Sequence, residues 1–425
     1  MKPRAHQPSW HRLDNTANVF PLISHKNFTN VFRLAVELKE PVQPELLQKA
    51  LDSTLPEFGN FNFRIRRGFF WYYFEPTNNR SIVSQEHTRP CAFIDAKSKH
   101  HHLFRIIYYK NRISLEVFHA ITDGTGATNF LKALTVNYLK LVHLETLPEN
   151  TLRQKVNSEL EDSYSKYSRK NQESKVKIPK AFRLRGKLLP INSIGVFHGY
   201  LQVSQLITYT KSLGVTLTEY LSSVYAWSIY THYSQEGKLK KPIHLSVPVN
   251  LRRFFESTTN MNFFSYITVG IPFSENTMTF EEVLLGVKEQ FRTQVTKENM
   301  LKNISKDVAL RHNPATRGLP LFFKNFFVKW IHLAATKSYT STLSNVGKVE
   351  LPERWIPDID HFELLMNTSA LDPMKCAICA FEDKLVVTIS SQLESPNIQK
   401  IFFRKLAEDG MDVVLESNGA YYEIL

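Results

Sequence analysis

The chain has 425 residues, 43% of them hydrophobic and 22% charged, so it can bury a large core and extensive disorder is excluded. This length predicts two domains or one large unit of two lobes. The 53 Lys and Arg residues outnumber the 40 Asp and Glu residues, and the net charge of +13 predicts a surface that attracts polyanions.

Targeting and redox features predict a cytoplasmic protein. Residues 1–15 hold no apolar run of signal-peptide length, and no stretch reaches the ~18 uninterrupted apolar residues that a membrane span needs. Three cysteines are too few for a disulfide framework in a chain of this size, and they fit a reducing compartment.

Residues 1–150 are expected to form a first lobe built on a mostly antiparallel sheet with helices on one face. Turn-forming and aromatic residues come first, and period-2 alternation then marks the strands. The patterns predict a strand at 31–38, a helix at about 43–55, a strand pair around Gly68, and strands at 103–109 and 112–118 paired across Lys110 and Asn111.

The stretch RISLEVFHAITDGTG, residues 112–126, carries the strongest chemical signal. Its strand stops at His119, and from Ala127 onward apolar residues recur at helical spacing. His119 and Asp123 therefore lie on a strand-to-helix loop, where catalytic groups are often placed. Because imidazole titrates near neutral pH, His119 can take a proton from a hydroxyl or amine as that group attacks an acyl carbon.

No nucleophilic serine or cysteine motif accompanies this histidine, since the chain has no Gly-x-Ser-x-Gly and no cysteine near it in sequence. The pattern therefore favours direct attack by a bound acceptor on a bound thioester, with the histidine as base. The alternative is purely structural. In it, His119 is a loop histidine with satisfied hydrogen bonds, and Asp123 caps the following helix.

FHAITDG, between an apolar strand and a helix, resembles the His-x-x-x-Asp-Gly motif of the chloramphenicol acetyltransferase superfamily. That group includes BAHD acyltransferases, wax ester synthases, alcohol O-acetyltransferases and the condensation domains of nonribosomal peptide synthetases. The resemblance implies an α/β fold of two lobes, each a mixed sheet flanked by helices in two layers, with an active-site tunnel between them. The alcohol O-acetyltransferase and wax ester synthase branches are the nearest.

The resemblance also implies roles for the motif residues. The histidine of the family is the general base, which makes His119 the predicted catalytic residue. The aspartate pairs with an arginine to hold the loop, a role that falls to Asp123 with Gly124 beside it. Phe118 stands where many members have a second histidine; the BAHD branch lacks that histidine as well, so the departure weakens a condensation-domain assignment more than it weakens catalysis.

Beyond the first lobe we expect a charged, solvated linker over 151–195 and a second lobe over 196–425. Thr216 and Glu219 form a capping-box pattern that marks the start of a long helix. The other predicted elements are a strand from about 198, a short helix ending at Gly214, helices at 279–297, 321–337 and 397–407, and strands at 361–367, 376–381 and 384–390.

The predicted helix at 321–337, LFFKNFFVKWIHLAATK, is apolar on most sides and carries a few cations. Such a helix can lie against a membrane surface. A buried helix has the same composition more often. We therefore expect burial, and peripheral membrane contact is not favoured.

Two segments of the second lobe resemble family segments that face the active loop. HLSVPVNLRRFF places Arg252 where the family has the arginine that pairs with the motif aspartate, with Arg253 as the alternative. NMNFFSYITVGIPF resembles a Gly-Asn segment, with Met261 in place of the glycine. It makes Asn262 and Ser265 candidates for lining the tunnel. The structural alternative for the first segment is an arginine on a surface loop with no role in the site.

TLSNVGKVELPE, residues 342–353, resembles the Ser-Asn-Val segment of wax ester synthases and alcohol acetyltransferases. In the family, the strand that corresponds to this segment runs beside the active histidine. This makes Ser344 and Asn345 candidate donors to the oxyanion of a tetrahedral intermediate. A strand that simply ends in a turn at Gly347 is the structural alternative.

No metal site is expected. Cys376 and Cys379 have Cys-x-x-Cys spacing, but they lie on a predicted strand, where residues three apart point to opposite faces, so both are interpreted as core residues. The tract at 100–102 is three histidines long and has no Cys or carboxylate spaced to complete a metal site.

The sequence thus predicts an acyltransferase that moves an acyl group, acetyl in the expected case, from coenzyme A to a small alcohol or amine in a ternary complex. The thioester is a co-substrate, and no permanently bound cofactor is expected. An acyl-carrier protein is the alternative donor, and a catalytically silent relative that acts as a binding module is a second alternative. Nucleic acid is not expected, because the cations are spread along the chain and no recognised motif appears.

Overall fold

The computed structural model describes residues 10–14, 16–98, 102–147, 160–169, 180–274, 277–312 and 320–420. Its helices are α1 (Phe20–Ile23), α2 (Pro44–Thr54), α3 (Gly124–Val142), α4 (Ser163–Tyr167), α5 (Val203–Ser212), α6 (Leu217–Gln235), α7 (Phe280–Gln294), α8 (Lys297–His312), α9 (Leu321–Ala335) and α10 (Asn397–Glu408).

The strands are interspersed among these helices along the chain. They are β1 (His11–Arg12), β2 (Val31–Leu38), β3 (Phe63–Arg67), β4 (Tyr72–Pro76), β5 (Ser84–Gln85), β6 (Phe104–Tyr109), β7 (Arg112–Phe118), β8 (Gly195–Gln202), β9 (Ile243–Asn250), β10 (Phe264–Ile271), β11 (Ser341–Val349), β12 (Ile359–Met366), β13 (Met374–Phe381), β14 (Lys384–Ser391) and β15 (Val414–Ser417).

The first lobe is built on a five-stranded sheet in the order β12-β2-β7-β6-β5. All neighbours in it are antiparallel except β5 and β6. The predicted pairing across Lys110 and Asn111 is confirmed, with Tyr109 opposite Arg112. Helices α2 and α3 pack together over this sheet, and a small sheet β1-β4-β3 lies beside it.

The second lobe is built on a seven-stranded sheet in the order β10-β9-β11-β13-β14-β8-β15. Strand β11 runs parallel to both of its neighbours, while the other pairs are antiparallel. The sheet is therefore mixed, as expected. Thr216 and Glu219 form the predicted capping box at the start of α6, which packs between α7 and α10.

Strand β12 comes from the range predicted for the second lobe but completes the first sheet. It pairs antiparallel with β2, so that Phe362 lies opposite Val36. It also packs against β13 and β14 of the seven-stranded sheet. The two sheets are thus joined by a strand that the second half of the chain inserts into the first lobe.

Strand β13 separates two hydrophobic cores. Cys376 belongs to the core that α6 and α10 cover, whereas Cys379 belongs to the core of the first lobe, and both are fully buried. The prediction that the two thiols point to opposite faces of a strand is confirmed. Within the described part of the chain, no group of three His, Cys, Asp or Glu side chains is arranged to hold a metal ion.

The described residues of the predicted linker, 160–169 and 180–195, are only partly solvated, because several of their side chains are buried. The ring of Tyr164 is buried, and its hydroxyl donates to the carbonyl of Phe264 at 2.7 Å. Phe182 is buried as well, and its backbone N–H donates to the carbonyl of Pro242. Apolar residues interspersed among the charges account for the difference. The remainder of the linker lies outside the described residues.

The prediction that helix α9 is buried is wrong. Leu321 is buried, but Phe322 is 71% exposed and Trp330 is 62% exposed. Apolar residues surround this helix on most sides, so packing one face against the protein leaves the others in contact with solvent. In the described ranges, no helix combines the length and the apolar character needed to cross a bilayer.

Candidate active site

The loop between β7 and α3 is held rigidly at both ends. At the strand end, the backbone N–H of His119 donates to the carbonyl of Asn30 at 2.9 Å. At the helix end, Asp123 is the N-cap of α3, and its Oδ1 accepts from the N–H of Gly126 at 3.0 Å. This cap satisfies one of the donors that the helix leaves free. His119 is therefore presented on a loop with little freedom.

The imidazole of His119 lies in a slot of three phenylalanine rings. Phe20 stacks on it at a centroid distance of 4.8 Å, Phe32 lies at 4.9 Å, and Phe264 lies at 5.5 Å. Phe20 and Phe32 belong to the first lobe and Phe264 to the second. The slot leaves the ring half-buried. Phe118, one residue earlier, points into the core and is fully buried.

Asn262 sets the tautomer of this histidine. The Nδ2 group of Asn262 donates to Oδ2 of Asp14 at 3.0 Å and to the carbonyl of His119 at 3.1 Å. Its Oδ1 therefore faces Nδ1 of the ring, at 3.1 Å, and can only accept from it. This network places the ring proton on Nδ1 and leaves the lone pair of Nε2 free to take a proton.

Burial lowers the pKa of His119. A hydrogen bond to the backbone of His119 itself, the carboxylate of Asp123 and the hydrogen bond that the ring donates to Asn262 oppose this shift, and the cation of Lys375 adds to it. The net effect favours a neutral imidazole at pH 7. A neutral ring with its Nε2 lone pair available is the form that a general base requires.

Asp14 is a member of this network that the sequence analysis did not single out. It is buried, and burial raises its pKa to about 7, while hydrogen bonds from the backbone of Ala17 and from Asn262 oppose the shift. The only local signal was an aspartate followed by turn-forming residues. Its role depends on a partner 248 positions away, and that separation hid it from local pattern analysis.

Arg252 and Asp123 meet as the sequence predicts. Nη1 of Arg252 lies 2.7 Å from Oδ2 of Asp123, and the same oxygen accepts from the N–H of Phe263 at 2.8 Å. Arg252 also donates to the carbonyls of Thr259 and Met261. The guanidinium therefore fastens the loop after β9 to the start of α3. Arg253, the alternative, is exposed.

Two glycines allow the backbone to pack this tightly. A β-carbon on Gly126 would lie 2.2 Å from the carbonyl oxygen of Asn260 and 2.2 Å from Oγ1 of Thr122. A β-carbon on Gly124 would lie 2.9 Å from Cγ1 of Val346, a residue of β11. Strand β11 therefore runs directly beside the active loop.

The two oxyanion candidates on β11 differ in their surroundings. Asn345 donates from Nδ2 to Oγ1 of Thr218 at 3.0 Å, and its Oδ1 accepts from the N–H of Gly347 at 2.8 Å, so both ends of its amide are engaged away from His119. Ser344 lies two residues before Val346 and is half-buried. The strand continues through Gly347, with a bulge there and a φ of +82°, rather than ending in a turn.

Ser265 is buried on β10, where its hydroxyl accepts from Nδ2 of Asn303 on α8 at 3.3 Å. Its neighbour Tyr266 is 48% exposed and packs edge-on against Phe264 at 5.2 Å. Desolvation raises the pKa of its phenol to about 12, with the charge of Asp307 adding to the effect. Tyr266 therefore lies beside Phe264, one of the rings around His119.

A cavity of about 600 Å³ lies beside the N-terminal segment. It is bounded by the N-terminal segment and by the turn between β3 and β4, with Arg12, Leu13 and Trp71 among its walls. Leu13 precedes Asp14, which contacts Asn262. The cavity is thus next to the segment that carries Asp14, although His119 is not part of its wall.

No family model matches the chain, and no curated protein matches it. Several solved structures are similar to the chain. The trichothecene 15-O-acetyltransferase of Fusarium sporotrichioides is 12% identical with a TM-score of 0.61, over 94% of each chain. TRI101 of F. graminearum, complexed with coenzyme A and deoxynivalenol, is 10% identical with a TM-score of 0.62, over 95% of this chain and 99% of that one. The first condensation domain of the calcium-dependent antibiotic synthetase is 13% identical with a TM-score of 0.62, over 94% and 96%.

Proposed function

We propose that this chain, which has the two-lobed fold of chloramphenicol acetyltransferase-like and condensation-domain structures, is an acyltransferase. It moves an acyl group, acetyl in the expected case, from the thioester of coenzyme A to the hydroxyl or amine of a small acceptor. The observation that carries this proposal is the geometry of His119. Its Nδ1 is committed to Asn262, and its Nε2 is available in a slot of aromatic rings contributed by both lobes.

The reaction follows from that geometry in two steps. The acceptor donates its O–H or N–H proton to Nε2 of His119 while the oxygen or nitrogen attacks the thioester carbonyl carbon. The tetrahedral intermediate then collapses, the carbon–sulfur bond breaks, and the departing thiolate takes the proton back from Nε2. Ser344 is the proposed donor to the oxyanion in between. Asn345 is the weaker candidate, because its amide is already engaged.

The surrounding residues position this machinery. Asn262 fixes the ring orientation and tautomer, and the pair of Asp123 with Arg252 holds the loop that presents the ring. The phenylalanine rings limit the access of water to His119, which reduces hydrolysis of the thioester. Asp123 is proposed as a positioning residue, since its Oδ1 and Oδ2 accept hydrogen bonds from Gly126, Phe263 and Arg252.

Coenzyme A is the proposed donor, and a carrier-protein thioester is the alternative. One structural neighbour is complexed with coenzyme A and deoxynivalenol, and another is a condensation domain bound to a substrate analogue. Phe118 occupies the place of the second histidine that many family members carry, which weighs against a condensation domain. The positive net charge suits the phosphates of coenzyme A and an acidic carrier protein equally.

Thiol release from acetyl-coenzyme A over a panel of alcohols and amines tests the proposal. Release that depends on the acceptor is expected, and His119→Ala should lower its rate by about 10²–10⁴-fold, the usual contribution of a general base. His87→Ala is the matched control, because that histidine is exposed. A His119→Ala enzyme with the full rate would refute the base assignment. Release only from acetylated carrier protein would select the alternative donor, and binding without any release would indicate a silent relative.

A further inference from the structure

Helix α9 and the turn between β3 and β4 together form one exposed aromatic patch. Most of the large side chains on these two segments point outward instead of into the core. The patch consists of Phe69, Phe70, Trp71, Phe322, Phe323, Phe326 and Trp330, whose exposed fractions run from 37% for Trp71 to 71% for Phe69 and Phe322. Contiguous exposed apolar surfaces of this kind mark interaction sites.

Specific contacts join the two segments of the aromatic patch. The backbone N–H of Leu321 donates to the carbonyl of Phe69 at 2.9 Å. Nζ of Lys324 donates to the carbonyl of Phe70 at 3.0 Å and lies 3.3 Å from the centroid of the Trp71 ring. Lys324 is buried. These hydrogen bonds and the buried cation–π contact fix the helix to the turn, so that the two segments form one continuous aromatic surface.

The sequence around the aromatic patch is rich in cations. It holds no Asp or Glu from Val308 to Val349, a range that includes α9 and six Lys and Arg residues. At the turn, Arg67 adds a cation, whereas Arg64 and Arg66 pair with Glu75, which borders the same cavity as Phe69 and Trp71. Phenylalanine and tryptophan flanked by cations are the side chains that enter the headgroup region of anionic bilayers. The excess of cations in the α9 range also opposes the pairing of this face with a second copy.

The aromatic patch also lies close to the active histidine. Helix α9 packs against α1, and its His332 lies 5.2 Å from the ring of Phe28. Phe20, in α1, stacks on His119. The route from the patch to the catalytic ring therefore crosses a single short helix.

We propose that the aromatic patch docks the protein on an anionic phospholipid bilayer, with the rings of α9 and of the β3–β4 turn in the headgroup region. Docking places the side of the site next to α1 at the membrane surface, so that an apolar acceptor dissolved in the bilayer has a short path to His119. This last step rests on the acyltransferase function, whereas docking itself does not.

Flotation with lipid vesicles tests the docking. Wild-type protein should float with vesicles of phosphatidylcholine and phosphatidylglycerol, should float less with pure phosphatidylcholine, and should be released as salt is raised. The triple variant F322S/F326S/W330S should bind at least ~10-fold more weakly. The matched control I191S/F273S/L285S removes three exposed apolar side chains outside the patch and should bind within about twofold of wild type.

Tryptophan quenching by brominated lipids gives a second readout that needs no disruptive variant. Wild-type fluorescence should fall on anionic brominated vesicles, and Trp330→Phe should remove much of that loss. The proposal is overturned if wild type does not float on anionic vesicles, or if the triple variant floats equally well. It is also overturned if wild type is a dimer that the triple variant separates, because the patch would then be a contact between copies. None of these outcomes depends on acyl transfer.

Discussion

The ion pair between Asp123 and Arg252 should be the strongest single link between the active loop and the second lobe. Arg252→Ala removes a guanidinium whose side chain is 12% exposed and leaves a carboxylate that is 6% exposed. Because water screens such a pair little, breaking it should cost about 3–5 kcal/mol of unfolding free energy. Two backbone donors still serve the carboxylate, which argues for the lower end of that range.

Urea titration of a double-mutant cycle measures the pair itself. Arg252→Ala, Asp123→Asn and the double variant should give a coupling energy above about 1.5 kcal/mol, since residues in one buried network are not additive. Arg253→Ala is the control, and loss of this exposed neighbour should change stability by less than about 0.5 kcal/mol. Additive single-variant effects, or an Arg252→Ala as mild as the control, would refute the reasoning.

Three further outcomes follow from the histidine network. Asn262→Ala frees the ring and admits the wrong tautomer. The loss of a hydrogen bond worth about 1 kcal/mol should lower kcat about fivefold and leave KM nearly unchanged. A change in KM alone would contradict this. The value of kcat/KM should rise with pH through a pKa below the usual value of histidine and then stay level, because burial disfavours the protonated ring. A value of kcat/KM that falls over that pH range would exclude His119 as the base. The pKa of Asp14 is raised to about 7, so the folded state holds its proton more tightly and stability declines as pH rises toward 7. Asp14→Asn should flatten the stability profile between pH 5 and 7 by up to roughly 3 kcal/mol, and an unchanged slope in urea titrations would show that Asp14 does not titrate there.

Local patterns were sufficient for the elements that depend on neighbours in sequence. Alternating side chains located β2 and the β6–β7 pair, and Thr216 with Glu219 marked the start of α6, because each depends on contacts within a few residues. The period-2 geometry of a strand was also enough to separate Cys376 from Cys379. The meeting of Asp123 and Arg252 required the family resemblance, since 129 positions separate the two residues.

Other features depend on tertiary placement that local patterns do not encode. The sequence of β12 indicates a strand but not the sheet to which it belongs. Only the folded structure shows that it pairs with β2. The composition of helix α9 is compatible with both a buried and an exposed helix. Only its position in the folded chain shows that most of its large apolar side chains are exposed. The amide of Asn345 is engaged by a residue at the start of α6, which the Ser-Asn-Val pattern could not indicate.

The most direct test of the account is the protonation state of His119 at pH 7, measured by long-range ¹H–¹⁵N correlation of the imidazole rings with His119→Gln used for assignment. The network around Asn262 and the burial of the ring predict a neutral imidazole that carries its proton on Nδ1 and has a bare Nε2. A ring that is doubly protonated at this pH, or that carries its single proton on Nε2, would contradict the proposal that His119 takes the proton of the acceptor.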